Sequence, residues 1–107
     1  MQRVGFILKV KPDRMDEYKA RHAAVWPEMR EALTRQGWHN YSLFLRDDGT
    51  LFGYVEVADN LAASLKGMEG EPINAKWQAS MADLVDVVPG LRVDQALATL
   101  EEVFHLD

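Results

Sequence analysis

The chain reads as an α+β domain with elements in the order β-α-β-β-α-β, the ferredoxin-like arrangement in which an antiparallel four-stranded sheet carries its helices on one face. Three observations predict it. The apolar period is two near the start of the chain, changes to 3.6, and alternates between the two again further on. An Asp-Asp-Gly-Thr turn separates two apolar runs in the middle, as in a hairpin. The length of 107 residues allows one domain, taken here as 1–107, with no linker or repeat inside it.

The first strand is expected over residues 3–10, with Val4, Phe6, Leu8 and Val10 on one face and Gly5 and Lys9 on the other. Pro12 ends it, and Asp13 is the expected N-cap of the next element. From Arg14 the stripe Met15, Tyr18, His22, Val25 or Trp26, Met29 and Leu33 follows a helical period. Pro27 has no N–H and biases Trp26 away from the α region, so the helix should break within residues 23–26 and restart with Pro27 at its first position. Gly37 closes this second piece.

His39 to Arg46 alternates once more, Asp47-Asp48-Gly49-Thr50 turns, and Leu51 to Val57 returns as the second hairpin strand. Asp59 or Asn60 caps a short helix over residues 61–68. Residues 73–87 read as a helix ended by Pro89-Gly90, with Ile73, Trp77, Met81, Leu84 and Val88 on one side. The last strand is expected over residues 100–106. Strands 1 and 2 are apolar on both faces, at Ile7 and Phe44 as well as on the core side. A second copy covering the open face would give a homodimer of the dimeric α+β barrel type.

The composition is that of a soluble globular protein, 48% hydrophobic and 27% charged. Twelve Lys and Arg against 17 Asp and Glu leave a net charge of −5, which disfavours nucleic acid and anionic membranes as partners. No apolar run approaches a membrane span, and the charged first 20 residues do not resemble a secretory leader. With no cysteine there is no disulfide, thiolate nucleophile or Cys-based metal site, and a cytoplasmic location is expected. The three histidines, His22, His39 and His105, form no ligand pair at helical spacing, so no metal is expected.

His22 is the most informative residue. It lies four positions after Tyr18 and four before Trp26, so Tyr18 and His22 can share one pocket wall beside a broken helix end. The structural alternative is a core histidine bonded to backbone. His39-Asn40-Tyr41 is a polar and aromatic cluster on the second strand. Alternation puts either His39 and Tyr41 or Asn40 inward. Trp77 and Gln78 offer an aromatic face and an amide, a combination that suits a sugar, although Trp at such a position is more often core. No carboxylate dyad, phosphate loop or Ser-His-Asp set is apparent. A histidine with tyrosines and tryptophans, and no cofactor motif, suits proton transfer.

Glu17-Tyr18-Lys19-Ala20-Arg21-His22 followed by Val25-Trp26-Pro27-Glu28-Met29 resembles the Glu-Tyr-x-x-Arg-His-x-x-x-Trp-Pro-Glu signature of the L-rhamnose mutarotase family. Gly37-Trp38-His39-Asn40-Tyr41 is similar to its Gly-x-x-Asn-Tyr stretch. Leu51-Phe52-Gly53, the segment from Lys76 to Met81, and the ending from Glu101 to Leu106 fall in register too. The resemblance implies a dimeric ferredoxin-like fold with a sugar pocket in each subunit and cofactor-free interconversion of the α and β anomers of L-rhamnose. It implies His22 as proton donor, Tyr18 and Tyr41 as sugar-holding residues and an aromatic pair on the second helix, which Trp77 matches in part. From their own chemistry Gln78, His39 and Trp26 join the expected binding set, and His39, Tyr41 or water is expected to take the anomeric proton.

Two departures bear on the substrate. The family pattern has Trp-Trp where this chain has Trp77-Gln78, and Asn-Pro-Asp-Asn-Ser-Pro in the region from Val88 to Asp94. They open the possibility of another deoxyhexose such as L-fucose. The rival readings are a small dimeric α+β-barrel monooxygenase of the haem-degrading type, with His22 on iron, and a non-catalytic sugar-binding module.

Overall fold

The computed structural model describes residues 1–87 and 92–107. Four strands form one antiparallel sheet in the order β2-β3-β1-β4: β1 is Gln2–Lys9, β2 Trp38–Leu45, β3 Thr50–Val57 and β4 Ala98–Leu100. Helices α1 (Met15–His22), α2 (Pro27–Arg35), α3 (Leu61–Glu69) and α4 (Pro72–Met81) connect them. The expected α+β, ferredoxin-like order is therefore present. The core lies between the helices and one sheet face, where Val4, Phe6 and Leu8 of β1 meet Leu51, Val55 and Val57 of β3 and Met29, Met68 and Met81 of the helices.

Sheet pairing turns on one close approach. Phe6 of β1 lies opposite Gly53 of β3 and is fully buried. Any Cβ at Gly53 would overlap the Phe6 ring, so glycine makes the room that lets the largest β1 side chain lie flat on the sheet. At the hairpin, Gly49 has φ +92°, and a side chain there would meet the Val10 carbonyl oxygen. The Thr50 amide donates to Asp48 Oδ1 at 2.9 Å, which closes the turn expected between the two strands.

The helix break is where Pro27 places it. Trp26 is extended, with φ −57° and ψ 134°, and its carbonyl accepts from the amides of Met29 and Arg30 as α2 begins. Gly37, at φ 84°, ends α2. Asn60 caps α3 by accepting the Ala63 amide at 2.8 Å. Two side-chain ties hold the helices in position. Arg35 grips Glu71 through two hydrogen bonds of 2.8 and 3.0 Å, with Gln36 adding a third at 2.7 Å, and together they hold the Glu71 carboxyl at about 2. Arg21 of α1 donates through Nη1 to the Ser80 carbonyl of α4.

Three expectations are corrected. Asp13 does not cap α1. It lies inside a 3-10 turn, Pro12–Arg14, begun by Pro12, and the cap position falls on Arg14 with no side-chain bond. The helix expected over 73–87 ends at Met81. Leu84 and Val85 are fully buried, yet by strand-like pairing: Val85 bridges Val10, the Lys11 amide donates to the Leu84 carbonyl, and the Asp86 amide to that of Lys9. A short apolar run does not distinguish helix from extended pairing, and the free end of β1 decides it. The expectations at Val88 and Pro89-Gly90 lie outside the described residues. The last strand occupies 98–100 rather than 100–106, because β1 offers it only Gly5 to Ile7. Beyond it, Val103, Phe104 and Leu106 are exposed, and Glu102 is held to Arg3 at 2.9 Å.

Replacing Gly53 by alanine should lower unfolding stability by about 1–3 kcal/mol, the usual cost of overpacking. Urea titration checks this, and Phe6→Leu in the same chain should recover part of the loss.

Candidate functional site

Between the helices and the sheet lies an open cavity of about 810 Å³. Its wall is built by the break between α1 and α2, by α4, by β2 and by the 3-10 turn Val93–Gln95. His22 is the last residue of α1, half-buried, and its ring stacks on Tyr18 at 4.2 Å between centroids. Trp77 of α4 stands edge-on to His22 at 5.4 Å, and Trp26 stands edge-on to Trp77 at 5.1 Å. The i, i+4 spacing of Tyr18 and His22 is what puts them on one wall, as the sequence predicted.

His22 Nδ1 lies 2.9 Å from the Tyr18 carbonyl. A carbonyl only accepts, so Nδ1 carries the hydrogen and Nε2 is the nitrogen left for a ligand. Both the backbone-bonded histidine and the pocket histidine of the sequence reading therefore describe the same ring. Burial lowers the His22 pKa below the ordinary imidazole value, and the Tyr18 carbonyl opposes part of that shift. Burial raises the phenols of Tyr18 and Tyr41 well above their usual range, so both stay protonated donors at neutral pH.

Tyr41 reaches the cavity because β2 does not alternate strictly. The pairing with β3 shifts between His39 and Ser42, and Asn40 takes φ 47°. This bulge puts Trp38, Tyr41 and Leu43 on the cavity side. His39 is opposite Glu56 on the other face and is not among the cavity-lining residues. The expected pairing of His39 with Tyr41 on one face is thus corrected, since the extra residue breaks the period of two. Asn40 leaves the cavity too, donating to Glu56 at 2.7 Å. Trp26 is 37% exposed and touches the site through Trp77 rather than lining the cavity itself.

Gln78 lines the cavity with its amide engaged at both ends. Nε2 donates to Asn74 Oδ1 at 3.0 Å, and Oε1 accepts the Asp94 amide at 3.1 Å. Asn74, fully buried, donates in turn to the Met68 carbonyl and to Asp94 Oδ2, both at 3.1 Å. Sequence reading missed Asn74 and Asp94. The i, i+4 spacing of Asn74 and Gln78 signals the first link, whereas nothing local marks Asp94. Among the described residues no group of three His, Asp or Glu side chains is placed to hold a metal ion, and no helix is long and apolar enough to cross a membrane.

A sequence profile described as L-rhamnose mutarotase matches residues 3–106. An L-rhamnose mutarotase from Oceanobacillus iheyensis is 42% identical, with all of both chains covered. One from Listeria monocytogenes is 44% identical, covering 99% of each. The crystal structure of L-rhamnose mutarotase from Formosa agariphila superposes with a TM-score of 0.81 at 30% identity over the whole of both chains. A structure from Mycobacterium tuberculosis, at 17% identity and a TM-score of 0.55, covers 99% of this chain and all of its own, and shares the fold. With the motif residues Tyr18, His22, Trp26, Tyr41 and Trp77 standing as described, the matched profile and full-length relatives show that this chain belongs to the L-rhamnose mutarotase family.

Proposed function

We propose that the protein interconverts the α and β anomers of L-rhamnose by opening and reclosing the pyranose ring. The observation that carries this reading is the His22 ring itself, held by Nδ1, with Nε2 unpaired among the described residues, beside Tyr18, Trp77 and the cavity. In the imidazolium form, Nε2–H gives its proton to the ring oxygen as the C1–O bond breaks. The anomeric hydroxyl loses its proton to water and becomes the aldehyde oxygen. Rotation about C1–C2 turns the other carbonyl face toward the C5 hydroxyl. Reclosure returns the C5 hydroxyl proton to His22, and water reprotonates the anomeric oxygen. No electrons change hands, so no oxidant or reductant enters the balance.

Tyr18 and Tyr41 are proposed to donate to sugar hydroxyls, which their raised pKa values suit. Trp77 presents a ring to the sugar C–H face, with Trp26 packed on its edge. His39, on the far side of the sheet, is proposed here only as part of the subunit surface. General acid catalysis of this kind contributes about 10²–10⁴-fold. The haem-degrading monooxygenase and the binding module have no comparable support in the relatives. A cytoplasmic setting suits a chain without cysteine.

We also propose that a second copy covers the open face of the sheet. Phe44 is 61% exposed and Phe52, packed against it, 40%, while Leu100 and the tail residues Val103, Phe104 and Leu106 lie exposed as well. Apolar surface of this kind, opposite a well-packed core, marks an interface.

Saturation-transfer NMR on L-rhamnose should show exchange accelerated by the wild type and returned to near the solvent rate by His22→Ala, with an unchanged circular dichroism spectrum. Wild-type-like exchange in that variant sinks the donor role. The His22-dependent part of kcat/KM should be greatest in acid and fall as pH rises, because the donor is the protonated ring. Its midpoint should lie below 6.5, since burial lowers this pKa. A rate that rises with pH instead makes His22 the base. Sedimentation should find dimers, and Phe44→Asp should yield monomer. A monomeric wild type removes the second copy.

A further inference from the structure

The mutarotase reading leaves a set of polar groups on the cavity wall without a task. Asp94, in the 3-10 turn Val93–Gln95, lines the cavity and keeps only 15% of its side-chain surface exposed. Its Oδ2 accepts from Arg92 Nη2 and Asn74 Nδ2, each at 3.1 Å. Its backbone N–H donates to Gln78 Oε1. Its Oδ1 is buried with no hydrogen-bond partner among the described residues, and the same holds for Arg92 Nε beside it. Buried polar atoms are almost always paired in native proteins. This turn holds one unpaired acceptor and one unpaired donor, and a hydroxyl is the group that can serve both.

We propose that Asp94 is the hydroxyl acceptor that sets sugar specificity in this cavity, and that Gln78 acts through Asp94 as a positioning residue rather than by touching the sugar. Three features support this. The carboxylate is braced on one oxygen by two donors, which fixes its position on the cavity wall while the other oxygen stays unpaired among the described residues. Gln78 spends its amide on Asn74 and on the Asp94 backbone, linking α4 to the turn that carries the carboxylate. Asp94 and Tyr41 line the same cavity, and the carboxylate adds to the rise in the Tyr41 pKa. An acceptor-only carboxylate beside a protonated phenol recognises a polyol through its O–H groups. An amide at position 78 thus exchanges a second aromatic surface for a held carboxylate, and the polar contact falls on a hydroxyl-bearing edge of the sugar.

The inference rests on the mutarotase reading for its ligand, so binding and exchange are measured separately. L-Rhamnose and L-fucose are titrated against wild type, Asp94→Asn, Gln78→Leu and the double variant, with tryptophan fluorescence for binding and saturation-transfer NMR for exchange. Losing a charge-assisted hydrogen bond to a hydroxyl typically costs about tenfold or more in affinity. Asp94→Asn should therefore weaken L-rhamnose binding and raise KM about tenfold, moving kcat by less than about twofold on the same scale. Gln78→Leu should shift KM in the same direction by less, and the double variant should be no worse than Asp94→Asn alone. The ratio of the L-rhamnose to the L-fucose binding constant should change in Asp94→Asn, which a merely structural loss would not do.

Equal binding by wild type and Asp94→Asn overturns the role of Asp94. Losses that multiply in the double variant overturn the positioning role of Gln78. Wild-type protein that binds L-rhamnose without accelerating exchange counts against the mutarotase reading alone, because the binding arm still reads Asp94. Should Asp94→Asn fail to fold, Asp94→Glu gives the same test, its longer carboxylate moving the sugar preference while keeping the charge. An unchanged preference in Asp94→Glu overturns the proposal as well.

Discussion

Pro27 cannot donate a backbone hydrogen bond, and the residue before it is pushed out of the helical region. That single constraint ends α1 at His22, turns the chain through Trp26 and starts α2 in a new direction. A continuous helix would bury the His22 ring along its side. The break instead leaves it at a helix terminus, its Nδ1 tied to the Tyr18 carbonyl and its other nitrogen free. The cavity opens beside the same break. The ties from Arg21 to Ser80 and from Arg35 to Glu71 then link the two helical pieces to α4 and its N-cap.

The sheet does for the opposite wall what proline does for the helices. Gly53 makes room for the Phe6 ring in the pairing of β1 with β3, and on the other edge of β3 a bulge in β2 absorbs one extra residue. The bulge re-aims Tyr41 into the cavity and sends Asn40 to Glu56. Tyr18 and Tyr41, which come from α1 and β2, therefore face one cavity with protonated hydroxyls. A site assembled this way has Tyr18, His22, Tyr41 and Trp77 on helices and strands, where packing holds their geometry. The turn carrying Asp94 sits after α4, where the chain departs from the family pattern.

His22 illustrates why a functional and a structural reading of one residue need not compete. The backbone bond that a core histidine would make is the bond that selects the tautomer and presents Nε2. Burial lowers the pKa of the same ring, which strengthens it as an acid while reducing the protonated fraction at neutral pH. These opposing consequences come from one environment. In the proposed mechanism they let one imidazole give a proton at ring opening and take it back at reclosure.

Local chemistry was legible in the residues themselves. The break at Pro27, the glycine end of α2, the hairpin turn, the Asn60 cap and the shared wall of Tyr18 and His22 each depend on groups within a few positions of one another. The long motif around His22 also carried the family. What the residues did not show depends on partners distant in sequence. The end of α4 at Met81 is decided by the free edge of Val10, and the shortness of β4 by the three positions β1 offers it. The bulge that separates His39 from Tyr41 exists only through pairing with β3. The engagement of Gln78 required Asp94 to arrive from 16 residues further along. Periodicity and capping are properties of a segment, whereas register, strand length and the pairing of buried polar groups are set by what the rest of the chain brings against it.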